Sequence, residues 1–173
     1  IMDSFDYTNL SPDIKTYIGL ANGDFDQSAV RRYRIIVPFL ASLLNFCFGF
    51  VFDKIQPWSF QGPDFSLGLS FLIVNTSLLS IAAIYIYKIL NHYNVSILAS
   101  IISIICFLSC RWTAYIGGLP WVDSLYFLMV VLLVYAIISS NRMILFITLL
   151  LGPLSKESFI FFYPLVLIYA NES

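Results

Sequence analysis

Apolar residues fall in five long blocks separated by short polar segments. Four are Ile35–Phe52, Ser66–Tyr87, Val95–Cys110 and Ser124–Ile138. The fifth, Met143–Ala170, is interrupted by Lys156-Glu157. A helix needs about 20 apolar residues to cross about 30 Å of hydrocarbon. Ser66–Tyr87 meets that requirement alone, and Val95–Cys110 and Ser124–Ile138 meet it with their flanks. The pattern predicts an all-α polytopic membrane protein in two parts. Residues 1–65, polar and aromatic over 1–34, form a first external loop with amphipathic and embedded helices, and residues 66–173 form a transmembrane helix bundle.

Within the first part, Ser11-Pro12-Asp13 carries helix-start chemistry: a capping serine, a proline at the first helical position and an acid in the first turn. Ile14, Tyr17, Ile18 and Ala21 follow at i, i+3, i+4 and i+7, and Asn22-Gly23 supplies the stop. This predicts a short amphipathic helix lying on a membrane face. The residue before a proline disfavours helix, so the next helix is expected to begin at Pro38. From Pro38 to Phe52 it would span about 22 Å, short of a full crossing. That length, with the small polar stripe Ser42, Asn45 and Gly49, predicts a re-entrant or half-embedded helix.

Farther along, Gln56-Pro57-Trp58 and Gly62-Pro63-Asp64 place a turn-rich loop over Asp53–Phe65. Lys88 closes the full span, with His92 in a short loop beyond it. Arg111–Asp123, with Trp112, Tyr115 and Trp121, reads as an interfacial loop. Leu151-Gly152-Pro153 is expected to break the last block ahead of Lys156.

Composition sharpens this picture. Sixty per cent of residues are apolar and 11% charged, far from a soluble domain. The formal net charge of −1 gives no sign of a nucleic-acid partner. Cys47, Cys106 and Cys110 lack metal-ligand spacing and read as free thiols, Cys106 and Cys110 sharing a helix face. Asn9, Asn75, Asn94 and Asn171 each open an N-x-[ST] triplet, a short pattern of little weight in an apolar chain. The chain opens with Ile1 and stops at Ser173 directly after an apolar block, which reads as a fragment of a longer membrane protein.

Candidate chemistry sits where charge meets apolar sequence. A charge at bilayer depth costs at least about 2.5–3.5 kcal/mol and persists when it pairs, lines a cavity or meets an anionic ligand. Lys156 and Glu157 therefore mark a polar interior. Arg31 and Arg34, at i, i+3, would share a helix face suited to phosphate, or would snorkel to the interface. Asp24 and Asp26 form a D-x-D whose carboxylates, in extended chain, would point the same way and could hold a divalent metal or a sugar hydroxyl. Asp13 is either a functional acid or a first-turn residue complementing the helix dipole. Lys88 and Arg142 fall on the cytoplasmic side by the positive-inside rule. The side taken by Asp13, Arg31 and Arg34 depends on whether Pro38–Phe52 crosses.

The order of these features resembles the GT-C superfamily of polyprenyl-phosphate-sugar-dependent glycosyltransferases, which includes aminoarabinose transferases and protein O-mannosyltransferases. Three stretches carry the resemblance. Asp13-Ile-Lys-Thr-Tyr17-Ile-Gly-Leu-Ala21 with Tyr33-Arg34-Ile-Ile-Val-Pro38 is similar to the opening of the family's first external loop. Pro120-Trp-Val-Asp123 is similar to the acid that starts its fourth helix, and Gly152-Pro-Leu-Ser-Lys156-Glu157 with Pro164 to a motif of its later helices. The family's first membrane helix and C-terminal part have no counterpart here. The resemblance implies an enzyme of a membrane, the bacterial inner membrane by analogy. It would move a sugar at the outer face from a lipid-linked donor to a lipid, glycan or protein acceptor. Asp13 would be the base. Tyr17, Asp24, Asp26, Arg31, Arg34, Asp123, Lys156 and Glu157 would bind substrate. Asp13, Arg34 and Lys156 would share one external cleft with Asp123 near its rim. No cofactor is certain, although the acidic loop leaves room for a divalent metal. A cell-envelope polysaccharide polymerase or ligase, and a non-enzymatic transporter subunit or scaffold, are the alternative readings.

Overall fold

Helix α1 (Pro12–Ala21) forms where the apolar stripe predicts it. The computed structural model describes residues 12–27, 31, 33–55 and 65–166, so the capping role of Ser11 and the turns over 56–64 lie outside the described residues. Ile14, Tyr17, Leu20 and Ala21 are buried, and Lys15 faces out. The helix stops by a Schellman arrangement. Gly23 takes φ 84°, its N–H donates to the Leu20 carbonyl, and the Asp24 N–H reaches back to the Gly19 carbonyl at 2.9 Å. Only a residue without a Cβ adopts that backbone at little cost.

Every described element is helical. The order continues with α2 (Ile36–Ile55), α3 (Phe65–His92), α4 (Ile97–Ser109), α5 (Arg111–Gly118), α6 (Asp123–Ile138), α7 (Arg142–Ser155) and a 3-10 helix, Glu157–Phe162. Two helices, α2 and α3, are long and apolar enough to cross a membrane. The pair α4 and α5, bent by 53°, adds a third if it forms one broken span. This is an all-α architecture consistent with a polytopic membrane protein.

Several boundaries differ from those expected. Helix α2 begins two residues before Pro38 and runs through Asp53 to Ile55, 20 residues in all. Pro38 sits in the first turn, where an N–H has no intrahelical acceptor to lose. At about 1.5 Å per residue α2 reaches about 30 Å, so the length argument for a half-embedded helix falls. Helix α3 has 28 residues and contains both Lys88 and His92, which is therefore helical and not in a loop. The stretch after Arg111 is helix α5 rather than loop. Cys110 lies between α4 and α5, so it does not share a helix face with Cys106. Its Sγ accepts the Thr113 N–H instead. All three thiols are free.

The chain forms two compact units, one of Ile1–Ser77 with Tyr115–Val122, the other of Leu78–Ala114 with Asp123–Ser173. In the first, α1 packs on α2, and Ile14 and Tyr17 of α1 and Val37 and Ala41 of α2 are all buried. Asn75, fully buried, donates through Nδ2 to the Leu119 carbonyl at 2.8 Å. The same carbonyl accepts the Trp121 N–H in a γ-turn about Pro120. Asn75 is thus a packing residue, and its N-x-[ST] triplet is out of reach of any modifying enzyme in the folded chain. Many large apolar side chains on α2 and α4 stay exposed, among them Phe39, Phe46, Ile101 and Ile105, as helices in contact with lipid require.

In the second unit α6 and α7 pack together, and the chain then reverses. Helix α7 continues through Gly152-Pro153 and ends at Ser155, and Lys156 takes an extended backbone. Tyr163 Oη donates to the Leu149 carbonyl at 2.9 Å. Fourteen residues of continuous helix would separate those positions by about 21 Å, so the segment after Lys156 must fold back along α7. Leu149 and Tyr163 stand symmetrically about Lys156 in the sequence, which makes Lys156 the tip of a hairpin. The described part of the last apolar block, 143–166, is therefore not one continuous helix.

Two details stabilise the reversal. Pro153 has no N–H to give the Leu149 carbonyl, and the Tyr163 hydroxyl supplies the missing donor. Gly152 lets Phe159 lie against the helix, because a Cβ there would overlap the Phe159 ring.

Candidate functional site

Four of the residues singled out in the sequence meet in the first unit. Asp13 and Tyr17 lie one turn apart on α1. The turn before α2 closes by the Arg34 N–H donating to the Arg31 carbonyl, which sets the two guanidinium groups along that helix face. Arg31 Nη2 pairs with Asp13 Oδ1, and Arg34 Nη1 donates to Tyr17 Oη at 3.0 Å. Asp13 and Arg31 remain partly exposed, while Tyr17 is buried. In water a pair of this exposure contributes about 0.2–1 kcal/mol. The two contacts bring two guanidinium groups and one carboxylate together beside a buried phenol.

Asp24 and Asp26 are linked by a local turn. Asp24 Oδ1 accepts the Asp26 N–H at 3.0 Å, an Asx turn, and Asp24 Oδ2 accepts from Gln27 Nε2 at 2.9 Å. The D-x-D is thus used to shape the chain after α1. The extended conformation expected to aim both carboxylates together is replaced by this turn. Among the described residues no three His, Cys, Asp or Glu side chains gather as a metal site would need.

The second cluster lies in the other unit. Lys156 Nζ donates to Asp123 Oδ1 at 2.6 Å, with side-chain exposures of 32% and 19%. Asp123 is the first residue of α6, where a carboxylate complements the helix dipole. The ammonium also lies 5.4 Å from the centre of the Tyr126 ring, one turn along α6. Phe159 and Phe162 pack on the same ring. Glu157, adjacent to Lys156, is exposed in the first turn of the 3-10 helix. Lys156 therefore takes its carboxylate from across the unit and not from its neighbour in sequence.

Asp13, Tyr17, Arg31 and Arg34 thus form one group, and Asp123 with Lys156 another, each within its own unit. Sequence reasoning missed Tyr126 and Tyr163. Tyr163 carried a readable signal, a phenol within the same apolar block as a proline that strands a carbonyl. Tyr126 sits one turn after Asp123, but nothing in the sequence alone ties it to Lys156. No protein-family model matches the chain, and no curated protein or solved structure matches it either.

Proposed function

We propose that this chain is part of a membrane glycosyltransferase using a polyprenyl-phosphate-linked sugar donor. The observation that carries the reading is the meeting of Asp13 and Tyr17, on an amphipathic helix, with Arg31 and Arg34, just before a candidate span. A lipid phosphate keeps its tail in hydrocarbon and its charge at the interface. Guanidinium groups at that level suit it, since arginine binds phosphate in a bidentate fork. Donor phosphate competing for Arg31 would release the Asp13 carboxylate. Asp13 then takes the proton of the acceptor hydroxyl as the acceptor oxygen bonds to the sugar anomeric carbon. The carbon–oxygen bond to phosphate breaks, and the lipid phosphate leaves with the electron pair. The acceptor is a lipid, glycan or protein. A polysaccharide polymerase or ligase would use the same donor chemistry.

Transfer takes place at the membrane face that carries α1. A 20-residue α2 is long enough to cross, which puts this face on the same side as Lys88 if α2 and α3 both span. One observation favours the transporter or scaffold reading instead: Lys156 is already matched by Asp123 at a chain reversal, a pairing that stabilises a helix interface without any ligand.

The test uses membranes containing the full-length protein and a radiolabelled polyprenyl-phosphate sugar. Asp13→Asn is expected to abolish transfer while donor binding survives, and Arg31→Gln to weaken donor binding. Undiminished transfer by Asp13→Asn overturns the assignment, and donor-independent transport activity moves the protein to the second reading.

A further inference from the structure

The second unit has two ends of different charge. Lys88, near the C-terminal end of α3, lies 4.6 Å from the Tyr85 ring centre and 5.7 Å from that of Tyr135 on α6. The two rings meet edge to face at 5.0 Å. These contacts put the C-terminal ends of α3 and α6 side by side. Arg142, which opens α7 after the turn 139–141, belongs to the same end, as does His92 at the close of α3. Lys88, His92 and Arg142 are all exposed.

Among the described residues of this unit the acids are Asp123 and Glu157. Asp123 is 12 helical positions from Tyr135, about 18 Å away, and Glu157 follows the lysine that Asp123 holds. The other end thus balances Asp123 and Glu157 against Lys156 and Arg111. The Lys88 end carries cations with no described carboxylate to answer them.

We propose that this end is a docking surface for anionic phospholipid headgroups, with Lys88 and Arg142 as its two permanent cations. Three features fit that occupant. Tyrosines at a helix end belong to the headgroup level of a bilayer, where an aromatic body meets a polar tip. Lys88 is held over two rings, so part of the side-chain entropy lost on binding is already spent in the free protein. A cationic helix end faces the cytoplasmic leaflet, whose surface is the anionic one. The inference is independent of the glycosyltransferase reading, because it uses none of the residues placed in that site.

Thermal unfolding of the full-length protein in neutral detergent micelles tests it. The titrants are phosphatidylglycerol, phosphatidylcholine and inorganic phosphate. Phosphatidylglycerol is expected to raise the midpoint saturably, and less so at high salt. Each basic residue contributes about a fivefold difference in affinity. Lys88→Gln or Arg142→Gln should therefore need about fivefold more phosphatidylglycerol, and the double variant roughly thirtyfold more. Lys88→Arg should respond like the parent protein, as should the control Lys54→Gln. If the double variant does not fold, the two single variants against Lys88→Arg still decide. An equal response to phosphatidylcholine, reproduction of the shift by inorganic phosphate, or a parental response from the glutamine variants overturns the proposal.

Discussion

Removing the Tyr163 hydroxyl should destabilise the protein only while Pro153 is present. The hydroxyl donates to the Leu149 carbonyl at 2.9 Å, and Pro153, four residues on from Leu149, offers no N–H in its place. In Tyr163→Phe the ring stays against Phe159, whose centroid is 6.5 Å away, so packing is preserved and one donor is lost. Stranding a buried carbonyl costs about 1–3 kcal/mol, and the partial burial here places the loss at about 1–2 kcal/mol. Pro153→Ala restores an N–H at the position from which a helix normally bonds Leu149. In that background Tyr163→Phe should cost less than about 0.5 kcal/mol, a coupling of about 1 kcal/mol between two side chains that need not touch. The assay is unfolding of the full-length protein in mixed micelles as a denaturing detergent is titrated, followed by helical circular dichroism. Equal losses in the two backgrounds would refute the reasoning. The Leu149 carbonyl would then draw nothing from Tyr163 that a backbone N–H could replace.

The remaining predictions concern the ion pair and the first span. Asp123→Asn and Lys156→Met should each cost about 1–3 kcal/mol, between the values for exposed and fully buried pairs, while the double variant should cost less than their sum. Additive losses in that cycle would mean the two groups do not stabilise each other. Cysteines placed at Lys15 and at Asp53 should label with an impermeant reagent from opposite sides of the membrane, because α2 is long enough to cross. Labelling from the same side would show that α2 returns, and would reopen the external placement of Asp13.

The elements that could be read from sequence were those whose determinants are local. The stripe Ile14, Tyr17, Ile18 and Ala21 and the Gly23 stop are decided within about ten residues, and both stand in the structure with Ile18 only half-buried. Pro38 misled because the rule against helix before proline is a preference, and a first-turn position removes most of its cost. The pairing of Asp13 with Arg31 and of Tyr17 with Arg34 follows from two short-range spacings meeting, i, i+4 on α1 and i, i+3 in the turn. The spacings were visible, but the meeting depends on how the chain between Gly23 and Arg31 returns. Asp123 with Lys156 lay further out of reach. An intervening pair of helices has to bring them together, and the hairpin that lifts Lys156 to its tip depends on contacts of Phe159 and Tyr163 that no periodicity announces.

The hairpin also has a consequence in time. A ribosome delivers Asp123 33 residues before Lys156. For that interval the start of α6 carries a carboxylate without its lysine, at the edge of an apolar helix. The segment that ends this interval enters as an apolar arm, reverses at Lys156 and descends along itself. Its two arms, each shorter than a span, meet only once the chain has turned at Lys156. The nascent carboxylate, waiting at the interface, is the group that can capture the lysine at the tip and hold the arm in its folded-back form.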